Sequence, residues 1–94
     1  MKVEYFDLKD KRALVSGGAS GIGASIVEHL CEQGVEVYFF DINKKEAQKL
    51  ILKIKKKKQK IPTFQFCNIK NIKKYKSLIQ SIIKKKGSID ILVN

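Results

Sequence analysis

The stretch Ser16-Gly17-Gly18-Ala19-Ser20-Gly21-Ile22-Gly23 holds the residues whose types and spacing most plainly suggest chemistry. Its glycines fall as G-x-x-x-G-x-G at Gly17, Gly21 and Gly23, ahead of a helical pattern. Glycines placed so let backbone N–H groups approach a pyrophosphate at the positive end of a helix. The commoner fingerprint, G-x-G-x-x-G, is not met, because Ser20 occupies its middle glycine position. The alternative is a tight turn between a strand and a helix that holds no ligand. Asp41 follows Gly23 by 18 residues, close to the offset of about 20 at which an acid accepts hydrogen bonds from an adenosine ribose. A carboxylate there repels a 2′-phosphate, and the neighbouring Ile42 and Ser20 bring no cation to offset it, so NAD is expected over NADP. Asp41 can also cap the helix that follows, and the two roles are compatible.

These residues need elements to hold them. Arg12–Ser16 is a short apolar run stopped by Gly17-Gly18 and reads as a buried strand. From Gly21 to Gln33, Ile22, Ile26, Val27 and Leu30 recur at helical spacing, with Ser20 available as a cap and Gly34 as terminator. Val35–Phe40 is rich in β-branched and aromatic residues and forms strand two, with Asp41 at its carboxyl end. Ala47, Leu50, Ile51 and Ile54 make the apolar stripe of a second helix. The like-charged pairs Lys49/Lys53 and Lys53/Lys57 are expected to fray this helix towards Lys60. Pro62–Cys67 reads as strand three, with Asn68 standing after it as Asp41 stands after strand two. Ile72, Tyr75, Leu78, Ile79, Ile82 and Ile83 form the stripe of a third helix, closed by Lys84-Lys85-Lys86 and Gly87, and in this reading Tyr75 is core. Ile89–Val93 is strand four.

The resulting β-α-β-α-β-α-β order predicts an α/β fold: the first half of a Rossmann-type, doubly wound parallel sheet with strand order 3-2-1-4. Residues 1–94 are read as the amino-terminal part of one dinucleotide-binding domain. Ile89, Ile91, Leu92 and Val93 look like a strand covered on both faces, so the sequence is expected to be truncated after strand four, leaving an edge prone to association.

Composition bounds the function. The 94 residues carry a net charge of +11, with two Cys and no Trp. Residues 1–43 hold four basic and seven acidic groups, whereas residues 44–94 hold sixteen and two. All the basic residues except Arg12 are lysines, and the run Lys53–Lys60 has neither the Arg forks nor the aromatic platforms of nucleic-acid readout. A basic module binding nucleic acid without specificity is therefore the weakest reading, and a solvated helix face the favoured one. Cys31 and Cys67 stand 36 positions apart without metal-ligand spacing, so reduced thiols and no metal site are expected. The first ten residues carry acids where a secretory signal has an apolar core, and no apolar run approaches the roughly 20 residues of a membrane span. A cytoplasmic protein without membrane contact is expected. The single His29, beside Val27 and Leu30 without a partner at readable spacing, reads as packing or surface.

Taken together, the loop, the acid and the last strand resemble the short-chain dehydrogenase/reductase (SDR) family, whose cofactor loop reads Thr-Gly-x-x-x-Gly-x-Gly. Leu8–Val15 is similar to the family's first strand, and Gly87–Asn94 to the stretch leading into its Asn-Asn-Ala-Gly motif, with Asn94 as that motif's first Asn. The resemblance implies an NAD-dependent oxidoreductase acting on an alcohol or carbonyl group. Gly17, Ser20, Gly21, Ile22 and Gly23 would line the pyrophosphate side, Asp41 would hold the ribose, Asn68 and Ile69 would frame the adenine, Asn94 would sit near the second ribose, and Ser16 would belong to the same cofactor-binding set. Ser16 replaces the usual Thr, and either hydroxyl can bridge the turn to nearby backbone groups. Asn68 replaces an Asp, and its amide oxygen can still accept from the adenine amino group. The family's catalytic Ser and Tyr-x-x-x-Lys lie beyond Asn94, so no catalytic residue is assigned and the 94-residue chain is expected to be inactive. Tyr5-Phe6-Asp7-Leu8-Lys9 matches Tyr-x-x-x-Lys by chance, because it precedes strand one. A full-length form would be a homo-oligomer with a small alcohol or carbonyl substrate. The rival reading is a non-catalytic nucleotide-binding remnant of a truncated gene.

Overall fold

The computed structural model describes residues 8–94; Tyr5 and the start of its chance motif lie outside them. The elements run β1 (Arg12–Ser16), α1 (Gly21–Glu32), β2 (Glu36–Asp41), α2 (Lys44–Lys56), β3 (Thr63–Phe66), α3 (Ile72–Lys86) and β4 (Ile91–Val93). The four strands are parallel, in the order β3-β2-β1-β4. This is the expected half of a doubly wound sheet.

The period-two alternation of the strands divides the sheet into two unequal faces. Ala13, Val15, Val37 and Phe39 point to one face, where they meet Val27 and Cys31 of α1 and Ala47, Leu50 and Ile54 of α2. Leu14 and Phe40 point to the other, where they meet Tyr75, Leu78, Ile79 and Ile82 of α3. Two helices cover the first face and one covers the second, so α3 buries none of its residues fully. β4 has β1 on one side only, and its Leu92 is exposed.

Several boundaries differ from those expected, each for a local reason. α1 stops at Glu32 because Gln33 serves as its C-cap ahead of Gly34, whose φ is +81°. β2 runs one residue later, so Asp41 is its last ladder residue, paired with Phe66. β3 loses Pro62, which has no N–H to give the ladder, and ends at Phe66. β4 begins only at Ile91 because the Asp90 carboxylate, not a backbone carbonyl, accepts from the Arg12 N–H at 2.9 Å. α2 ends at Lys56, short of Lys60, with Lys58 in the left-handed region. The repulsion at Lys53 is offset by a 2.8 Å ion pair with Glu28 of α1, and Lys49 lies 3.4 Å from Glu46.

Arg12 fastens the amino end of the sheet. Its guanidinium donates to Glu36 of β2, to the carbonyl of Lys86 at the end of α3 and to that of Ser88 in the α3–β4 connection, at 2.8 to 3.1 Å. Only a fork of several N–H donors serves three acceptors in different directions, so lysine is a poor replacement. Burial pushes the Glu36 carboxyl up, but hydrogen bonds donated by Arg12 and Tyr38, with the charges of Arg12 and Lys86, outweigh it and hold the group below its ordinary value of 4.5. A depressed carboxylate stabilises the fold fully above its unfolded pKa, and that contribution disappears as pH falls through the lower folded value. Thermal unfolding followed by circular dichroism should therefore find Glu36→Gln less stable at neutral pH. Its Tm should fall less steeply than that of the parent below pH 4.5.

Candidate functional site

The β1–α1 turn is built on the end of β2, where the Gly17 and Gly18 N–H groups both donate to the Phe40 carbonyl, at 2.7 and 3.3 Å. Gly17 (φ +70°) and Gly21 (φ +58°) are left-handed, with open space where a Cβ would stand. Gly23 is constrained differently. A Cβ there would lie 2.0 Å from the Gly17 carbonyl oxygen, so the first turn of α1 packs directly on the loop backbone.

Ser20 occupies the N-cap of α1, but its side chain makes no capping hydrogen bond, contrary to the role expected for it. Its backbone is extended, with φ −148° and ψ 164°, and the side chain is left exposed. The first N–H groups of a helix have no intrahelical acceptor, so those of Gly21, Ile22 and Gly23 face the carboxyl end of the sheet without a side-chain cap from Ser20. Such a terminus, open above Gly17 and Gly21, fits a phosphate group.

Asp41 holds this loop in place. One carboxylate oxygen accepts from the Ala19 N–H at 3.1 Å and the other from the Asn43 N–H at 2.9 Å. Asp41 does not cap α2. Asn43 does, accepting from the Glu46 N–H at 3.1 Å, and the spacing Asn43-x-x-Glu46 carried that signal in the sequence. Each Asp41 oxygen keeps a further lone pair for a ligand hydroxyl.

A cleft of about 130 Å³ is lined by Gly17, Asp41, Asn68 and Ile69, together with Phe40, Ile42 and Cys67. Asn68 accepts from the Lys70 N–H at 3.0 Å, which fixes its amide oxygen at the cleft edge. Ile22, Ile42 and Ile69 are exposed, Ile22 by 82%. Cys67 is buried, as is Cys31, and both thiols are free. Burial, with the Glu28 carboxylate nearby, pushes the Cys31 thiol up to about 12 against the lowering effect of Lys60. Cys31 is thus a protonated packing group at neutral pH.

Ser16 and Asn94 are not part of that cleft. Ser16 does not bridge the turn as expected; its position in β1 points it to the α3 face, where its Oγ lies 2.9 Å from the Tyr75 hydroxyl and 3.4 Å from Asn94 Oδ1. The Tyr75 hydroxyl donates to Asn94 Oδ1 at 3.0 Å. Tyr75 is therefore more than core: its ring packs edge-on against Phe40 with centroids 5.6 Å apart, and its hydroxyl reaches the carboxyl ends of β1 and β4. The missed signal was a phenol in an otherwise aliphatic stripe, one turn into α3, since a half-buried Tyr hydroxyl requires a polar partner.

A family model described as short chain dehydrogenase matches residues 11–94. The chain belongs to the short-chain dehydrogenase family. Among curated relatives, this short-chain dehydrogenase chain is 34% identical over 91 residues to the probable galactose dehydrogenase of Rhizobium meliloti, covering 97% of itself and 36% of that protein. It thus spans about a third of the length of the curated relatives it matches. Its fold superposes on the hydroxysteroid dehydrogenase of Escherichia coli with a TM-score of 0.80 at 30% identity, over 93% of this chain and 37% of that one. The L-sorbose reductase of Gluconobacter frateurii, solved with NADPH and L-sorbose, is similar in fold at a TM-score of 0.79 and 22% identity, over 92% of this chain and 33% of that one.

The remaining chemistry-bearing side chains of this short-chain dehydrogenase chain lie elsewhere. The lysines closing α2 (Lys53, Lys55, Lys56) and α3 (Lys84, Lys85, Lys86) sit at helix carboxyl ends, hence at the amino end of the parallel sheet, away from the cleft. His29 is exposed on α1. Among the described residues there is no group of three or more metal-ligating side chains, and no helix long and apolar enough to cross a membrane. The Gly23 contact is directly testable. Gly23→Ala is expected to destabilise the fold by about 1–3 kcal/mol in urea unfolding, as overpacking does. Ala at the open position Gly21 should cost only the left-handed backbone strain of about 1–2 kcal/mol.

Proposed function

We propose that this chain is the amino-terminal, cofactor-binding part of an NAD-dependent short-chain oxidoreductase acting on a small alcohol or carbonyl compound. The observation that carries the reading is the meeting, at the carboxyl end of the sheet, of a helix N-terminus without a side-chain cap and a cleft lined by Gly17, Asp41, Asn68 and Ile69. Ser20, Gly21, Ile22 and Gly23 bind the pyrophosphate through backbone N–H groups, and Gly17, whose own N–H is held by the Phe40 carbonyl, leaves the room for it. Asp41 accepts from the adenosine ribose. Asn68 and Ile69 frame the adenine, and Ser16 with Asn94 stands on the side of the second ribose. When bound, the nicotinamide ring gives or takes the hydride. The residues of this chain bind and orient it.

NAD is favoured over NADP because Asp41 is held facing the ribose position by two backbone N–H groups and cannot easily swing away from a 2′-phosphate. Lys44, the nearest cation in sequence on the α2 side, lies over the Phe66 ring, 5.0 Å from its centroid. The fold alone does not decide between the two cofactors, since L-sorbose reductase holds NADPH on a similar one. We place the protein in the cytoplasm, in keeping with its two free buried thiols, and expect a longer form to be a homo-oligomer.

Isothermal titration should give NAD a Kd no tighter than about 0.1–1 mM, or −5.5 to −4 kcal/mol, because the nicotinamide half is little supported. Asp41→Ala should weaken NAD about tenfold, the loss of charge-assisted hydrogen bonds, and narrow the gap between NAD and NADP. NAD affinity insensitive to Asp41→Ala would sink the reading. No reduced nicotinamide should accumulate when this chain alone is incubated with NAD and an alcohol.

A further inference from the structure

In a sheet ordered β3-β2-β1-β4, the connection from β1 runs to β2 and the connection from β3 crosses to β4 on the other side of β1, so the switch point, where such folds open a crevice, lies between the carboxyl ends of β1 and β4. At that point stands the cluster of Ser16 Oγ, Tyr75 Oη and Asn94 Oδ1, contributed by β1, α3 and the residue after β4. These atoms make three contacts, at 2.9, 3.0 and 3.4 Å. Two hydroxyl hydrogens cannot fill three contacts, and an amide oxygen only accepts. The two shorter contacts form a relay in which Ser16 donates to Tyr75 and Tyr75 donates to Asn94, each bond polarising the next. In that relay both lone pairs of Ser16 Oγ are uncommitted at the switch point. The cluster is one hydrogen short.

We infer that Tyr75 is a positioning residue of this crevice: its hydroxyl orients Ser16 and Asn94 so that the cluster accepts a hydrogen bond from a sugar hydroxyl of the ligand. The inference rests on the nucleotide reading above and deepens it, since it makes the distinction between a mononucleotide and a dinucleotide depend on a hydroxyl outside the adenosine cleft. Nothing about the packing requires that hydroxyl. The Tyr75 ring alone makes the edge-on contact with Phe40 and the neighbouring aliphatic contacts of the small core, and phenylalanine preserves both.

The test uses the 94-residue chain, titrated with NAD and separately with AMP, which occupies only the adenosine side. Tyr75→Phe should weaken NAD about three- to tenfold, the range one hydrogen bond supplies. AMP affinity should stay within about twofold, inside the scatter expected for distant, independent sites. Ser16→Ala should give a similar selective loss, and the double variant little more than either single, because all remove the same relay. Should Tyr75→Phe fold poorly, the NAD-to-AMP ratio of Ser16→Ala carries the same test. Equal losses for both nucleotides, or no loss for either, overturn the positioning role while leaving the nucleotide reading intact. A parent chain that binds neither nucleotide overturns both.

Discussion

The close approach of Gly23 to the Gly17 carbonyl is the contact on which the rest of this structure depends. It lets the first turn of α1 sit on the loop that leaves β1, so the helix N-terminus ends beside the carboxyl ends of the strands and not above solvent. A side chain at Gly23 would push α1 outward and draw it from the sheet face where Val27 and Cys31 pack. It would also carry Ala19 away from Asp41 and unfasten the loop from the end of β2. Core packing and candidate binding site therefore share one steric condition.

The two faces of the sheet do different work. The α1/α2 face holds the larger core, including the tilted Phe39–Phe64 ring pair, and carries most of the apolar burial that stabilises the domain. The α3 face has three fully buried residues, Leu14, Phe40 and Cys67. Two of them also line the cleft, so side chains that stabilise the fold double as its floor. Tyr75 belongs to the same economy of parts, with its ring in the core and its hydroxyl in the crevice.

Charge is divided along the strand axis. Helices in a parallel sheet of this kind run opposite to the strands, so every helix N-terminus, with its partial positive charge, lies at the cleft end and every C-terminus at the other. The lysine runs closing α2 and α3 meet the negative ends of their helices, where they stabilise and remain solvated. Much of the +11 charge thus stands away from the cleft, which supports the solvated-face reading of the lysine-rich stretch.

Much was legible without coordinates: four strands, three helices, their order, and the residues Gly17, Asp41, Asn68 and Ile69 that meet in one cleft. Periodicity, glycine spacing and the parallel crossover rule are local or topological constraints, and a sequence states such constraints directly. The roles that changed all depend on which atom lies across a gap. Ser20 does not cap, Asn43 caps in place of Asp41, Ser16 turns from the loop to Tyr75, and Asp90 replaces a ladder carbonyl. Ser16, Tyr75 and Asn94 are up to 78 positions apart in the chain. Only the packing of α3 on the sheet brings them within hydrogen-bond distance, because a side-chain bond depends on tenths of an ångström in three dimensions and residue type alone does not encode them.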